Sequence, residues 1–190
     1  MDIAEKKVAI LVDNYFEEAE FTEPLKALKN AAVEVAVIGV SSKSLQAMKH
    51  AELSGTYQAD VLLKEAQAED YDALVLPGGA MNADTLRMDQ TAREWVKYFL
   101  AQGKPLAVIC HAPWVLVSAD CVNGRNVTSF WTIQDDIRNA GGKWQDSSVV
   151  IDETLITSRK PDDLPEFCEA LLSMLQSQHN EQLNKEVYND

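Results

Sequence analysis

Three short stretches of this chain are apolar without interruption: Val8-Ala9-Ile10-Leu11-Val12, Ala73-Leu74-Val75-Leu76 and Leu106-Ala107-Val108-Ile109. A strand with one wet face alternates apolar and polar residues, whereas an unbroken run belongs to a strand covered on both faces, as in a parallel sheet. A fourth strand is expected over 33–39. Between these runs lie helix-period patterns, over 18–32 with Phe21, Leu25 and Leu28 on one face, and over 90–102. Downstream, short strands are expected near 126–129, 149–151 and 155–157, and helices over 133–140 and 161–178. Strands alternating with helices at this spacing predict an α/β fold with a doubly wound, mainly parallel sheet and helices on both faces. Residues 41–70 are polar and irregular, reading as loops and a small hairpin with a short strand around 59–63. Residues 1–178 read as one domain, and 179–190 as a polar C-terminal tail that frays.

The third apolar run stops at Cys110, and the sequence resumes as His111-Ala112-Pro113-Trp114-Val115-Leu116. Pro113 suits an early helical position, where its missing N–H costs nothing. A residue just past the C-terminal end of a parallel strand sits where ligands bind in open α/β sheets. Cys110 therefore reads as the nucleophile of a strand-to-helix elbow, with a helix N-terminus expected to favour its thiolate. The plain alternative is a small buried hydrophobe, since free cysteines are among the most buried residues.

In such a sheet three segments converge on one crevice: the turn over 13–20, the turn over 77–84 and the Cys110 elbow. Gly78 and Gly79 can expose backbone N–H groups and, with the His111 N–H, form an oxyanion hole, although a Gly-Gly turn needs no function to explain it. The first segment carries Glu17, Glu18 and Glu20, which also suit the start of a helix. A carboxyl among them that faced the sulfur would have a raised pKa and could carry a proton. His111 is a candidate base that needs an orienting partner, Asp84 or another carboxylate, from this chain or a second subunit. Its bland role is to cap the following helix.

Composition narrows the classes. With 190 residues, 46% of them hydrophobic, the chain has room for one sizeable core. A net charge of -13 argues against nucleic acid or an anionic membrane as partner. No apolar run approaches the roughly 20 residues of a membrane span, and residues 1–7 lack a signal peptide's apolar region, so the cytoplasm is the expected location. Cys110, Cys121 and Cys168 have no short metal-ligand spacing, and His50, His111 and His179 do not form the paired pattern of a zinc hydrolase. Neither a metal nor a cofactor is indicated.

Four motifs in order resemble the PfpI intracellular protease family of the DJ/PfpI superfamily. They are Asp13-Asn14 with Phe16-Glu17-Glu18-Ala19-Glu20 and Pro24; Leu76-Pro77-Gly78-Gly79; Ala107-Val108-Ile109-Cys110-His111-Ala112-Pro113; and Thr157-Ser158-Arg159-Lys160-Pro161-Asp162-Asp163-Leu164. That superfamily includes the parkinsonism-associated protein deglycase and is related to class I glutamine amidotransferases. The resemblance implies a flavodoxin-like fold, Cys110 as nucleophile, Glu20 as the glutamate against the thiol and His111 as the catalytic histidine. It places Asp84 near an acid that reaches in from an adjacent subunit, and so implies a homodimer or larger assembly. Ala112 departs from the family's usual glycine. The implied activity is attack of Cys110 on a peptide carbonyl or on an α-oxoaldehyde or its early adducts, that is, a peptidase, glyoxalase or deglycase acting in stress protection. Its rivals are a redox sensor or chaperone based on oxidation of Cys110, and an amidotransferase half using His179-Asn180-Glu181.

Overall fold

The computed structural model describes the backbone of residues 3–189 and the side chains of residues 3–180. In chain order its elements are β1 (Lys7–Val12), β2 (Phe16–Glu17), α1 (Glu18–Asn30), β3 (Glu34–Gly39), β4 (Ser44–Lys49), β5 (Glu52–Gln58), β6 (Val61–Leu62), β7 (Ala73–Leu76), α2 (Ala80–Met88), α3 (Gln90–Ala101), β8 (Leu106–Ile109), α4 (Pro113–Ser118), β9 (Asn126–Val127), α5 (Gln134–Asn139), β10 (Lys143–Trp144), β11 (Val149–Asp152), β12 (Leu155–Ser158) and α6 (Leu164–Asn189). Seven strands form the central sheet in the order β11-β12-β8-β7-β1-β3-β6. All neighbours run parallel except β11, which pairs antiparallel with β12.

The unbroken apolar runs follow from cover on both faces. Along a strand, successive side chains point to opposite sides. Ala9, Leu11, Leu74, Leu76, Leu106 and Val108 enter one cluster with Trp95, Val96 and Phe99 of α3 and Val115 and Leu116 of α4. Val8, Ile10, Val12, Ala73, Val75, Ala107 and Ile109 enter the other, with Phe21 and Leu28 of α1 and Phe167, Leu171 and Leu175 of α6. Burying each large apolar side chain contributes about 1.5–3 kcal/mol, so both helix layers are held to the sheet by the same residues that define its strands. Because β1 lies between β3 and β7, the connections leave it in opposite directions, which opens a crevice at the carboxyl ends of the strands.

Three segments differ from the sequence reading. Residues 41–70 do contain the hairpin, β4–β5, turned at His50 with φ 57°. It is not peripheral, because Leu45 and Ala47 are fully buried and β4 also pairs with β2. Residues 80–84, expected within the turn over 77–84, belong to α2 (Ala80–Met88). That segment, with Asn82, Asp84 and Thr85, has no clear apolar face for periodicity to detect. The last helix extends to Asn189 rather than ending near 178. Residues 179–189 contain neither glycine nor proline, so nothing in them stops a helix once α6 has started.

Candidate active site

The chain turns sharply at the end of β8. Cys110 adopts φ 65°, a left-handed conformation that costs a residue with a Cβ roughly 1–2 kcal/mol. Its N–H donates to the Ser158 carbonyl at 3.1 Å and its carbonyl accepts from the Phe130 N–H at 2.8 Å. These bonds from two other segments hold the strained residue in place. Adjacent side chains ordinarily diverge, yet here Cys110 Sγ lies 3.2 Å from His111 Nδ1. The imidazole stacks on Phe130, with centroids 4.8 Å apart, and meets Trp114 edge-on at 5.4 Å. Its Nε2 lies 3.4 Å from Thr132 Oγ1. Burial lowers the His111 pKa, which keeps the ring neutral and able to accept a proton.

The structure separates the three glutamates of the first crevice segment. Glu18 accepts from Tyr57 Oη at 2.8 Å and from the Gly55 N–H at 3.0 Å; the Tyr57 bond is the main cause of its lowered pKa. It fastens the β4–β5 hairpin to α1, beside the packed rings of Phe16, Phe21 and Tyr57. Glu17 accepts from the His50 N–H at the hairpin tip, at 3.0 Å. Glu20 alone is fully buried, its Oε2 accepting from the Gly78 N–H at 2.9 Å.

Burial pushes Glu20 up to about 8, assisted by the charge of Glu17 and opposed by its bonds to Cys110 and Gly78. Its Oε1 is buried without a conventional hydrogen-bond partner. Burial and the facing Glu20 carboxylate push the Cys110 thiol above the usual range, against the N–H groups of Gly79 and His111. These influences oppose the thiolate that a helix N-terminus alone would favour. α4 begins only at Pro113, and burial, with the charge of Glu20 once it is ionised, acts against the thiolate. The two groups are coupled: a proton on Glu20 removes the repulsion.

The glycines do different work. Gly78 is not a free oxyanion donor, because its N–H is committed to Glu20. A Cβ at Gly78 would crowd the Glu20 carboxyl and lie 2.6 Å from Cys110 Cβ. Gly79, at φ 90°, directs its N–H to the Cys110 sulfur and passes so close to the first crevice segment that a Cβ would lie 2.6 Å from the Tyr15 carbonyl. Asn82, at the inner side of α2, is fully buried and fastens this turn. Its Nδ2 donates to the Pro77 and Gly78 carbonyls at 2.9 and 3.0 Å, and its Oδ1 accepts from the Asp13 N–H at 2.7 Å.

A cavity of about 300 Å³ opens over Cys110, with Glu17, His50, Phe130 and Pro161 in its walls. Asp84 is not there. It is exposed on α2 and lines an adjoining groove with Asp13, Tyr15 and Trp114, so within one chain it does not orient His111. His179 follows Gln178, which bonds the Gly103 carbonyl before β8, at the opposite end of the strand from Cys110. The side chain of Glu181 lies outside the described residues. Asn82, Phe130 and His50 were missed as site residues. A lone asparagine, a lone aromatic and a histidine at a hairpin tip carry no spacing signal, and only the fold brings them to the crevice. Among the described residues no cluster of three or more His, Cys, Asp or Glu side chains is arranged to hold a metal ion, and no helix is long and apolar enough to cross a membrane.

A doubly wound α/β sheet with a strained cysteine at a strand end, a histidine on its sulfur and a buried glutamic acid behind it defines a flavodoxin-like protein with a thiol at a strand-to-helix elbow. The chain belongs to the DJ-1/PfpI family, whose model matches residues 6–174. An uncharacterised Staphylococcus aureus protein is 41% identical over 173 residues, covering 90% of this chain and 99% of that one. A two-domain Anabaena variabilis protein with DJ-1/ThiJ/PfpI-like and ferritin-like domains superposes with a TM-score of 0.84 at 40% identity. The match covers 90% of this chain and 48% of that one, so this chain spans about half of that relative. Schizosaccharomyces pombe DJ-1 superposes with a TM-score of 0.80 at 26% identity, covering 88% of this chain and 90% of its own.

Proposed function

We propose that this protein is an enzyme in which Cys110 adds to the carbonyl of a small α-oxoaldehyde, such as methylglyoxal, or of its early adduct on an amine. The observation that carries this reading is the Cys110 sulfur, 3.2 Å from His111 Nδ1 at the floor of a cavity of only about 300 Å³. A cavity of that size suits a small aldehyde better than an extended peptide, which favours glyoxalase or deglycase chemistry over the peptidase reading.

In the proposed step His111 takes the thiol proton as sulfur attacks the aldehyde carbon. The carbonyl π electrons move to oxygen, held by the N–H groups of Gly79 and His111. His111 then returns the proton to that oxygen, giving a hemithioacetal. Transfer of the hydrogen from the former aldehyde carbon to the neighbouring keto carbon, through Glu20 or His111, yields a hydroxyacyl thioester. Water cleaves it to the hydroxy acid and restores the thiol. The sequence is an internal oxidation and reduction, so no external electron carrier enters the balance. Conversion of methylglyoxal to lactate by the purified protein, lost in Cys110→Ala and depressed at least about 100-fold in His111→Ala, is the expected result. Undiminished conversion by Cys110→Ala refutes the reading.

Asp84 has a place in this scheme only across subunits. We propose that the protein is a homodimer or larger assembly in which Asp84 of one copy faces the site of another. Exposure of Asp84 on α2 is what supports this. The test mixes inactive Asp84→Asn and Cys110→Ala proteins after reversible dissociation. Recovery of part of the activity is expected, and none is recovered if the acid acts within its own chain.

A further inference from the structure

The wall of the cavity outside the reacting atoms is electrically one-sided. Among the described residues its lining contains two carboxyl groups and two imidazoles, and no lysine or arginine. Glu20 is sealed behind the sulfur, whereas Glu17 is half-buried in the wall, one oxygen held by the backbone N–H of His50. That bond ties the carboxylate to the hairpin tip and fixes its position over the cavity. Its charge is felt as far in as Glu20, where it helps to raise the pKa.

Of the cations that neighbour the wall residues in sequence, Lys160 and Arg159 are paired with carboxylates. Lys160, which precedes Pro161 of the wall, lies 2.7 Å from Asp162. Arg159 is shared between Asp163 and Asp146 at 2.8 and 2.7 Å. Lys49, next to His50, contributes its charge to Glu18. The whole chain carries a net charge of -13, so the surrounding field has the same sign as Glu17.

We propose that Glu17 is a charge filter for the Cys110 cavity, admitting carbonyl compounds whose flank is neutral or cationic and rejecting those flanked by a carboxylate, sulfonate or phosphate. The inference deepens the reading of Cys110 as the attacking nucleophile and rests on it for its biological meaning. It narrows the substrate by charge: carbonyl compounds with a neutral or cationic flank, and not oxo acids. The partial positive charge of the Gly79 and His111 N–H groups lies at the sulfur and serves the oxygen formed during reaction. Glu17 meets the part of the substrate that does not react.

The filter is tested by the chemistry of the thiol itself, without an assumed substrate. Hydroxyethyl, trimethylammonium-ethyl and sulfonato-ethyl methanethiosulfonate each convert a thiol to a mixed disulfide, with release of methanesulfinate, and differ in the charge they bring. Rates at Cys110 are read site by site by mass spectrometry, at low ionic strength and about pH 8, where imidazoles are ordinarily neutral. Each rate is divided by that of the same reagent with a free thiol.

The cationic reagent is expected to outpace the anionic one at Cys110 by about tenfold or more. Glu17→Gln retains an oxygen for the His50 N–H and is expected to reduce that ratio at least about fivefold, whereas Glu17→Asp keeps most of it. The ratio at Cys121 serves as control and stays unchanged. A ratio near one in the natural protein, or one that Glu17→Gln leaves as it was, overturns the filter. Methylglyoxal turnover, measured in parallel, separates this from the parent reading. The expected charge ratio with no turnover supports the filter and removes the enzyme. Turnover with a ratio near one does the reverse.

Discussion

Glu20 takes up a proton when the chain folds, and folding stability must therefore fall as pH rises. The carboxyl is fully buried and its pKa is pushed up to about 8 from an ordinary 4.5. Between those values the unfolded chain has released the proton while the folded chain retains it. The unfolded state binds fewer protons, so the unfolding free energy declines with pH throughout that window. The slope is about 1.4 kcal/mol per pH unit and the total roughly 4–5 kcal/mol, absent below the lower value and constant above the upper one. This is opposite in sign to a salt-bridged carboxylate, whose depressed pKa stabilises the fold as pH rises.

Glutamine abolishes the titration at nearly constant shape. The comparison is best made in a Cys110→Ser background, which removes the coupled thiol while keeping a polar neighbour for Glu20. Urea unfolding of Cys110→Ser and of Cys110→Ser with Glu20→Gln is followed at intervals from about pH 5 to about pH 8. Apart from a constant offset, the double variant gains on the single one by about 1.4 kcal/mol for each unit of pH. A gap that stays flat across that range refutes the argument, because it means that Glu20 is ionised in the folded protein despite its burial.

With Cys110 present, Glu20→Gln removes the charge that faces the sulfur above about pH 8. Alkylation of Cys110 by iodoacetamide at about pH 9 is then expected to run roughly tenfold faster than in the natural protein, and equal rates contradict the coupling. Gly78→Ala forces a Cβ to 2.6 Å from Cys110 Cβ and 2.9 Å from the Ile109 carbonyl, so chemical denaturation should show a loss of about 3 kcal/mol or more. An unchanged midpoint would show that the turn can open without cost. Asn82→Ala strands the Asp13 N–H and two carbonyls in a fully buried turn and is expected to cost about 2–4 kcal/mol in the same assay. Phe130→Ala removes the ring stacked on His111 and should lower kcat for methylglyoxal about tenfold with little change in KM, since the loss falls on orientation of the base.

The fold was legible where both faces of a strand are covered, because burial of that kind leaves no place for a polar residue in β1 beyond Lys7, or in β7 or β8. The cysteine was legible for the same reason: the apolar run of β8 ends where the strand leaves the core, so the residue after Ile109 had to sit at the crevice. What surrounds that cysteine was less so, since its charge state is decided by residues far away in sequence. Three glutamates within four positions look alike along the chain. Only the hairpin tip at His50, Tyr57 and the Gly78 N–H sort them into a wall, a fastener and a buried acid. The helix-dipole argument for a thiolate weighs one local influence and leaves out dehydration and the Glu20 charge, neither of which has a period or a spacing. Hence the proposed nucleophile can be located from one strand and its following turn. Its reactivity is set by the distance between three crevice segments, and a change at Gly78 or Asn82, neither of which would touch substrate, should alter it as surely as a change at Glu20.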